Sequence, residues 1–283
     1  MKVVVTGANG QLGTDVVQSW TAAGDTVLGL GHHGLDITDR RAVMHLLTRE
    51  RPDVVVNCAA WTAVDACESD PERARQANAD AVGYLVEGCA ATEARLVQIS
   101  TDYVFDGTKA GPYVESDATN PTSVYGQSKL AGEAAALSLG DRAAVVRTSW
   151  VCGEHGGNMV KTILRLAAIQ PQLAFVADQV GHPTFTADLA PLLRRIAAAE
   201  LNGVVHATNQ GAVSWFEFAQ AVVAASGRDP AMVSPIATAD LQPPRPAPRP
   251  PNSVLDNAAL RAAGIGLLRD FHEPLAELVA RLT

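Results

Sequence analysis

Two hydrophobic rhythms alternate through the first half of the chain. Short β-branched or continuously apolar runs at 2–6, 25–30, 53–58, 95–100 and 142–148 read as strands. The segments between them carry helical spacing: 11–23 through Leu12, Val16, Val17 and Trp20, then 38–49 with a cap near Asp36 or Thr38, then 70–91 and 121–139. Strands that are apolar throughout are buried on both faces, and strand–helix alternation implies right-handed crossovers. The predicted fold class is α/β, a doubly wound parallel sheet. Beyond Thr148 the rhythm changes, with helices predicted at 158–169, 188–199 and 215–225 around a strand-like 203–207 and a loop at 179–184. This predicts a dinucleotide-binding domain over 1–149 and a smaller substrate domain over 150–283, interleaved because a segment near 184–210 returns to the first.

Between the first strand and the first helix sits GANGQLG, with Gly7, Gly10 and Gly13. Small residues allow a tight turn there, and the helix N-terminus offers unpaired N–H groups and a positive dipole end to a pyrophosphate. The second strand ends in Leu30-Gly31-His32-His33, without the acidic residue that would take the ribose 2′-hydroxyl of NAD. A 2′-phosphate is therefore admissible, with His32 or His33 facing it or simply solvated. After the third strand, Cys58-Ala59-Ala60-Trp61-Thr62 presents alanines that let a ligand approach the backbone, and Thr62 offers a hydroxyl to a phosphate or ribose. Asn78 lies mid-helix, where Asn is disfavoured unless its side chain finds a partner.

The chemistry concentrates at Tyr125-Gly126-Gln127-Ser128-Lys129, read with Ser100-Thr101-Asp102 upstream. Tyr125 and Lys129 lie four apart, on one helix face, so a phenol and an ammonium can share a pocket. A neighbouring cation lowers a phenol's pKa, which makes Tyr125 a candidate proton donor to a carbonyl that receives a hydride. The pair follows the fourth strand, and ligands in such sheets bind at the carboxyl ends of the strands. Far downstream, Gln242-Pro243-Pro244-Arg245-Pro246-Ala247-Pro248-Arg249-Pro250-Pro251 reads either as a polyproline linker or as a cleft lining in which Arg249 meets a diphosphate bidentately.

Composition narrows the function classes. A formal charge of -8 argues against nucleic acid as a partner. The N-terminus lacks a signal-peptide pattern and no apolar run reaches membrane-spanning length, so a cytoplasmic enzyme is the expectation. Cys58, Cys67, Cys89 and Cys152 show no C-x-x-C spacing, and the seven histidines form no ligand pattern, so no metal site is predicted.

The G-x-x-G-x-x-G spacing resembles the extended short-chain dehydrogenase/reductases. With GANGQLG, CAAWTAVDACE, STDYVFDG, VYGQSKLAGE, RTSW and RPPNSVL all in order, nearly the whole chain resembles the dTDP-4-dehydrorhamnose reductase family. That resemblance implies a Rossmann-type domain with a small sugar-nucleotide domain. It also implies hydride transfer from NADPH, or NADH, to the C4 carbonyl of a dTDP-linked 4-keto-6-deoxyhexose, in a monomer or homodimer. By the same resemblance Gly7, Gly10, Gln11 and Leu12 match the pyrophosphate loop, Asp36 and Ile37 the adenosine contacts, and Ala59, Ala60, Trp61, Thr62 and Ile99 further cofactor contacts. Tyr125 matches the proton donor and Lys129 the holder of the nicotinamide ribose. Thr101, Asp102 and Trp150 match substrate contacts, Thr101 beside the reacting carbonyl, and Arg249 joins them as a substrate candidate on its own chemistry. Trp61 and Cys152 depart from the family's usual residues, and the acidic metal site of some members has no match. A 4,6-dehydratase would need an acid where Tyr103 follows Asp102. The remaining alternatives are another nucleotide-sugar 4-ketoreductase and a non-catalytic cofactor-binding subunit.

Overall fold

In the computed structural model, which describes residues 1–283, the apolar runs and helical repeats fold into one parallel sheet with helices on both faces. The first half runs β1 (Lys2–Thr6), α1 (Gln11–Ala22), β2 (Thr26–Leu30), α2 (Arg40–Glu50), β3 (Val54–Asn57), α3 (Val64–Ser69), α4 (Pro71–Arg75), α5 (Ala81–Thr92), β4 (Arg95–Thr101), α6 (Val124–Leu137) and β5 (Ala143–Thr148). Then follow β6 (Val151–Cys152), α7 (Met159–Ile169), β7 (Leu173–Val176), β8 (Val180–Gly181), β9 (Thr184–Phe185), α8 (Thr186–Ala198), β10 (Gly203–His206), β11 (Val213–Ser214), α9 (Trp215–Ala225), β12 (Val233–Ile236), α10 (Ala258–Ala262) and α11 (His272–Leu282).

The sheet order is β10-β5-β4-β3-β1-β2, so α8 and β10 return to it late in the chain. The order reverses between β1 and β3, and that switch opens a crevice at the carboxyl ends of the strands. Register fixes which side chains face which layer. Val3, Val5, Val54, Val56 and Val97 pack with Leu12, Val16 and Trp20 of α1 and with Leu189, Leu193 and Ile196 of α8. The alternate residues Val4, Val55, Leu96 and Val145 face Leu46 and Leu47 of α2 and Val82 and Leu85 of α5. A separate cluster, including Phe185, Phe218, Phe271, Ile163 and Leu275, joins α7, α9 and α11 and forms the core of the smaller lobe.

Three details differ from the sequence-based expectation. Helix α2 starts at Arg40 because Asp39 is its cap, accepting from the backbone N–H of Arg41 and Ala42 at 2.9 and 3.1 Å. Asp36 instead closes a local turn on Thr38. The segment predicted as one helix over 70–91 divides into α4 and α5 around a π-helical turn, Gln76–Asp80, and the unpredicted α3 precedes it. The C-terminal α11 also went unpredicted, although it fills the smaller lobe's core through Leu275, Leu278 and Val279.

Candidate active site

The turn after β1 makes the first wall. Gly7 has φ +65°, and a Cβ there would lie 2.6 Å from the Ala59 nitrogen, so only glycine lets the β1 and β3 ends come together. Helix α1 begins behind it at Gly10 with no side-chain cap, leaving its first N–H groups open to the crevice. That open N-terminus and the glycine cradle fit a dinucleotide pyrophosphate. The Gln11 side chain turns away from it: Oε1 accepts from Gly153 N at 3.0 Å and Asn158 Nδ2 at 2.9 Å, tying the loop to the smaller lobe.

A cleft of about 790 Å³ runs from this turn over Gly7, Gly10, His32, Asp36, Ile37, Ala59, Ala60 and Trp61. His33 is not in its lining. Trp61 is covered by the Arg73 guanidinium, 4.6 Å from its ring. The backbone of Trp61 is held by Asn78, whose Oδ1 accepts from Trp61 N at 2.9 Å and whose Nδ2 donates to Trp61 O and to Ser128 Oγ, each at 3.0 Å. Asn78 thus braces the crevice wall against α6, and the π turn that carries it is what brings it there.

At Cys58–Ala60 the cleft meets a deeper cavity of about 340 Å³, lined by Leu12, Thr62, Ile99, Thr101, Asp102, Tyr103, Tyr125, Lys129, Trp150 and Trp215 among others. Ser123 caps α6 by accepting from Gly126 N at 3.1 Å, which sets Tyr125 and Lys129 on the face turned inward. Both are buried. Lys129 Nζ donates to the Ile99 carbonyl at 2.7 Å. That carbonyl also accepts from Gln98 Nε2 at 2.8 Å; Asn57 Nδ2 donates to Gln98 Oε1, and Thr6 Oγ1 donates to Asn57 Oδ1.

Electrostatics in the cavity are set by burial. Exclusion of water pulls the Lys129 ammonium down to about 8, with Glu133 and Cys58 opposing. The Asp102 carboxyl is pushed up to about 6 for the same reason, against the hydrogen bonds it accepts; Thr101 Oγ1 donates to its Oδ1 at 2.9 Å. Its Oδ2 has no partner. The Tyr125 phenol moves upward, chiefly by burial and further by the Asp102 and Tyr103 charges, with a Thr101 hydrogen bond opposing. This corrects the expectation of a phenol already acidified by Lys129: the lysine is itself desolvated and engaged by Ile99.

A third basin, about 510 Å³, adjoins across Tyr103 and Trp215 and holds Gln179, Arg245 and Arg249. The proline-rich stretch therefore lines a cleft. Its Arg249 does not present a free fork: Nη2 donates to Asp65 Oδ2 at 2.9 Å, Nη1 engages the other oxygen, and Ala247 N also donates to Asp65. Trp150 stands at the junction with φ 44°, stacked on Trp215 with centroids 3.6 Å apart. Sequence reasoning missed Trp215, Tyr103 and Asp65 as site residues. A helix-opening Trp and a lone Asp carry no spacing signal, and Tyr103 was legible only as the residue after Asp102. No group of three or more His, Cys, Asp or Glu is placed to hold a metal ion.

A crevice at the sheet's switch point, an uncapped helix at its glycine turn and a Tyr/Lys pair at its deep end define an NAD(P)H-dependent oxidoreductase of the extended short-chain dehydrogenase/reductase class. Within that class, the family model described as RmlD substrate binding domain matches residues 1–283, and the chain belongs to this family. It is 44% identical over 280 residues to the dTDP-4-dehydrorhamnose reductase of Streptomyces griseus, covering 97% of this chain and 91% of that one. A Clostridium acetobutylicum dTDP-4-dehydrorhamnose reductase superposes with a TM-score of 0.95 at 39% identity, covering 100% and 99% of the two chains. The Bacillus anthracis enzyme of that name, in complex with NADP, gives 0.94 at 34% identity, covering 99% and 100%. No helix is long and apolar enough to cross a membrane.

Proposed function

We propose that the protein reduces the C4 carbonyl of dTDP-4-dehydro-L-rhamnose to dTDP-L-rhamnose with NADPH, and that Tyr125 donates the proton. The observation that carries this reading is the continuity of three spaces: a dinucleotide-sized cleft, a cavity holding Tyr125, Thr101 and Lys129, and a basin with Arg245 and Arg249. The 2′-phosphate form fits a β2 end that carries no acidic residue to take the ribose 2′-hydroxyl and where His32 lines the cleft, with Asp36 further along the same wall.

The bound dinucleotide supplies a hydride to C4. As that bond forms, the carbonyl π pair moves onto oxygen, and Tyr125 gives its phenolic proton to the developing alkoxide. Thr101 offers its hydroxyl at the same oxygen. Lys129 holds the nicotinamide ribose and stabilises the phenolate left behind, which regains a proton from solvent. A phenol kept neutral by burial is suited to wait as an acid, and it needs the ammonium only as charge develops. Trp150 and Trp215 give flat apolar faces to the sugar. A diphosphate exchanges with Asp65 for the Arg249 fork, since the guanidinium suits both anions. The two domains proposed, 1–149 and 150–283, would then hold cofactor and sugar nucleotide respectively.

The test is steady-state turnover with NADPH and NADH against several nucleotide-linked 4-keto-6-deoxy sugars. The dTDP-4-dehydro-L-rhamnose reaction with NADPH should have the highest kcat/KM. Tyr125→Phe should keep dinucleotide affinity and lose at least about 100-fold in kcat. Cofactor binding without turnover of any such sugar, or full activity of the Phe variant, would overturn the reading.

A further inference from the structure

One helical turn beyond Lys129, α6 carries a second buried charge that the reaction as proposed does not use. Glu133 is 2% exposed. Ser100 Oγ donates to its Oε1 at 2.5 Å, and Arg147 of β5 grips both oxygens, Nε to Oε1 at 2.9 Å and Nη2 to Oε2 at 2.7 Å. Arg147 is buried as well and lies over the Phe105 ring at 5.1 Å. Beyond it, the His206 ring is kept neutral by burial. Buried ion pairs seldom stabilise a fold better than apolar residues of the same volume, because both charges must leave water. The location of this pair suggests another use. Its carboxylate sits at i+4 from Lys129, and Ser100, which donates to it, follows Ile99, whose carbonyl accepts from Lys129.

We propose that Glu133 is a positioning residue for the reduction: a carboxylate clamped by Arg147 and Ser100 that keeps Lys129 in its ammonium form inside a water-excluding cavity. The proposal rests on the reading that Lys129 acts as a cation. Lys129 has the Cys58 thiol near it after β3, Asp102 and Tyr103 after β4, Tyr125 and Glu133 on its own helix, and Arg147 from β5 behind Glu133. Cys58 is pushed up to about 12 by burial and is uncharged at neutral pH; Asp102, still largely ionised there, is not among the groups that raise Lys129. Glu133 is thus the principal anion supporting the ammonium, and the first among the groups that raise its pKa. Arg147 keeps Glu133 from turning to Lys129 directly, so Nζ stays free for Ile99 and for the cavity.

The chain has only four lysines, Lys2, Lys109, Lys129 and Lys161, so each can be followed by NMR in full-length protein labelled at lysine Cε. Lys129→Met assigns its signal. In Glu133→Gln the Lys129 midpoint should fall by about one pH unit, a usual effect of losing a nearby opposite charge. The alkaline limb of kcat should move down with it, while KM for NADPH at pH 6.5 changes little. Should stranding Arg147 unfold that variant, Glu133→Gln with Arg147→Gln removes both charges and should show a fall of the same sign but smaller, because the Arg147 cation behind the carboxylate goes with it. Glu133→Asp should restore the wild-type midpoint. A variant that is folded by circular dichroism and titrates Lys129 at the wild-type midpoint would overturn the proposal. Unimpaired turnover by Lys129→Met would instead overturn the reading beneath it, whatever the NMR midpoint does.

Discussion

Thr101 lines the cavity that holds Tyr125 and Lys129. Its hydroxyl donates to Asp102 Oδ1 and accepts from the Tyr103 amide, so its single proton must turn from Asp102 to the substrate oxygen for it to serve as a donor there. Replacing it by the isosteric valine keeps volume and removes that donor. Thr101→Val should cost about 100-fold in kcat, the order found when one donor to a developing oxyanion is removed, with KM for NADPH unchanged. An unaltered kcat in steady-state assays would remove Thr101 from the mechanism. Thr101 entered through the family resemblance, while the sharing of one cavity by Tyr125 and Lys129 was legible in the sequence because a spacing of four puts them on one helix face. Asp65 was not: its partner Arg249 lies 184 residues away, and only the folded chain brings them together. Gln11 shows a related limit, since its position in the glycine turn says nothing of a side chain aimed at the other lobe.

The element that matters most at the next scale is α6, because it carries Tyr125, Lys129 and Glu133. It packs against the π turn at Gly132, where an added Cβ would lie 2.1 Å from the Asn78 carbonyl oxygen. Gly132→Ala must push α6 away from Asn78, and overpacking of this kind costs about 1–3 kcal/mol. The urea midpoint should fall, and kcat should fall with it as the Tyr/Lys pair leaves its wall. Gly83→Ala in α5 is the matched control. Nothing lies within 4 Å of the new Cβ, so replacing a helical glycine should instead stabilise by about 0.5–1 kcal/mol. Equal effects of the two substitutions on denaturation would show that the contact at Gly132 is not tight. Periodic helices such as α1 and the apolar strands were readable because burial imposes their period. The π turn was not, as one extra residue in a helix leaves the apolar spacing nearly intact. The six residues of α3 are too few to show a period, whereas α11 does show one, with Leu275, Leu278, Val279 and Leu282 at helical spacing opposite Glu273, Glu277 and Arg281, and was legible in the sequence.

The whole molecule joins its lobes with buried polar groups, and this sets its response to acid. His182 is buried between β8 and β9, its Nδ1 facing Thr208 Oγ1 at 3.3 Å, and burial lowers it to about 4 from an ordinary 6.5. His206, on the edge strand β10, is lowered by burial too. Between about pH 6.5 and 4 the unfolded chain therefore binds protons that the folded chain refuses, so stability is full above 6.5 and falls as pH drops through this window. Asp102 works in the opposite sense, since its folded pKa of about 6 lies above its unfolded 3.8 and the folded state binds the extra proton between those values. Two histidines against one carboxyl leave a net loss. From the difference between the two pKa values, His182 alone contributes about 2 kcal/mol of destabilisation at pH 5 relative to pH 7.5. The urea midpoint should accordingly be lower at pH 5 than at pH 7.5, and His182→Gln, which cannot take up the proton in either state, should narrow that gap even if it lowers both midpoints. A gap of the same size in the variant would show that acid weakens the fold through groups other than His182. The catalytic cavity adds a test of origin: Asp102→Asn deletes the one opposing group in this window, so the gap in that variant should widen.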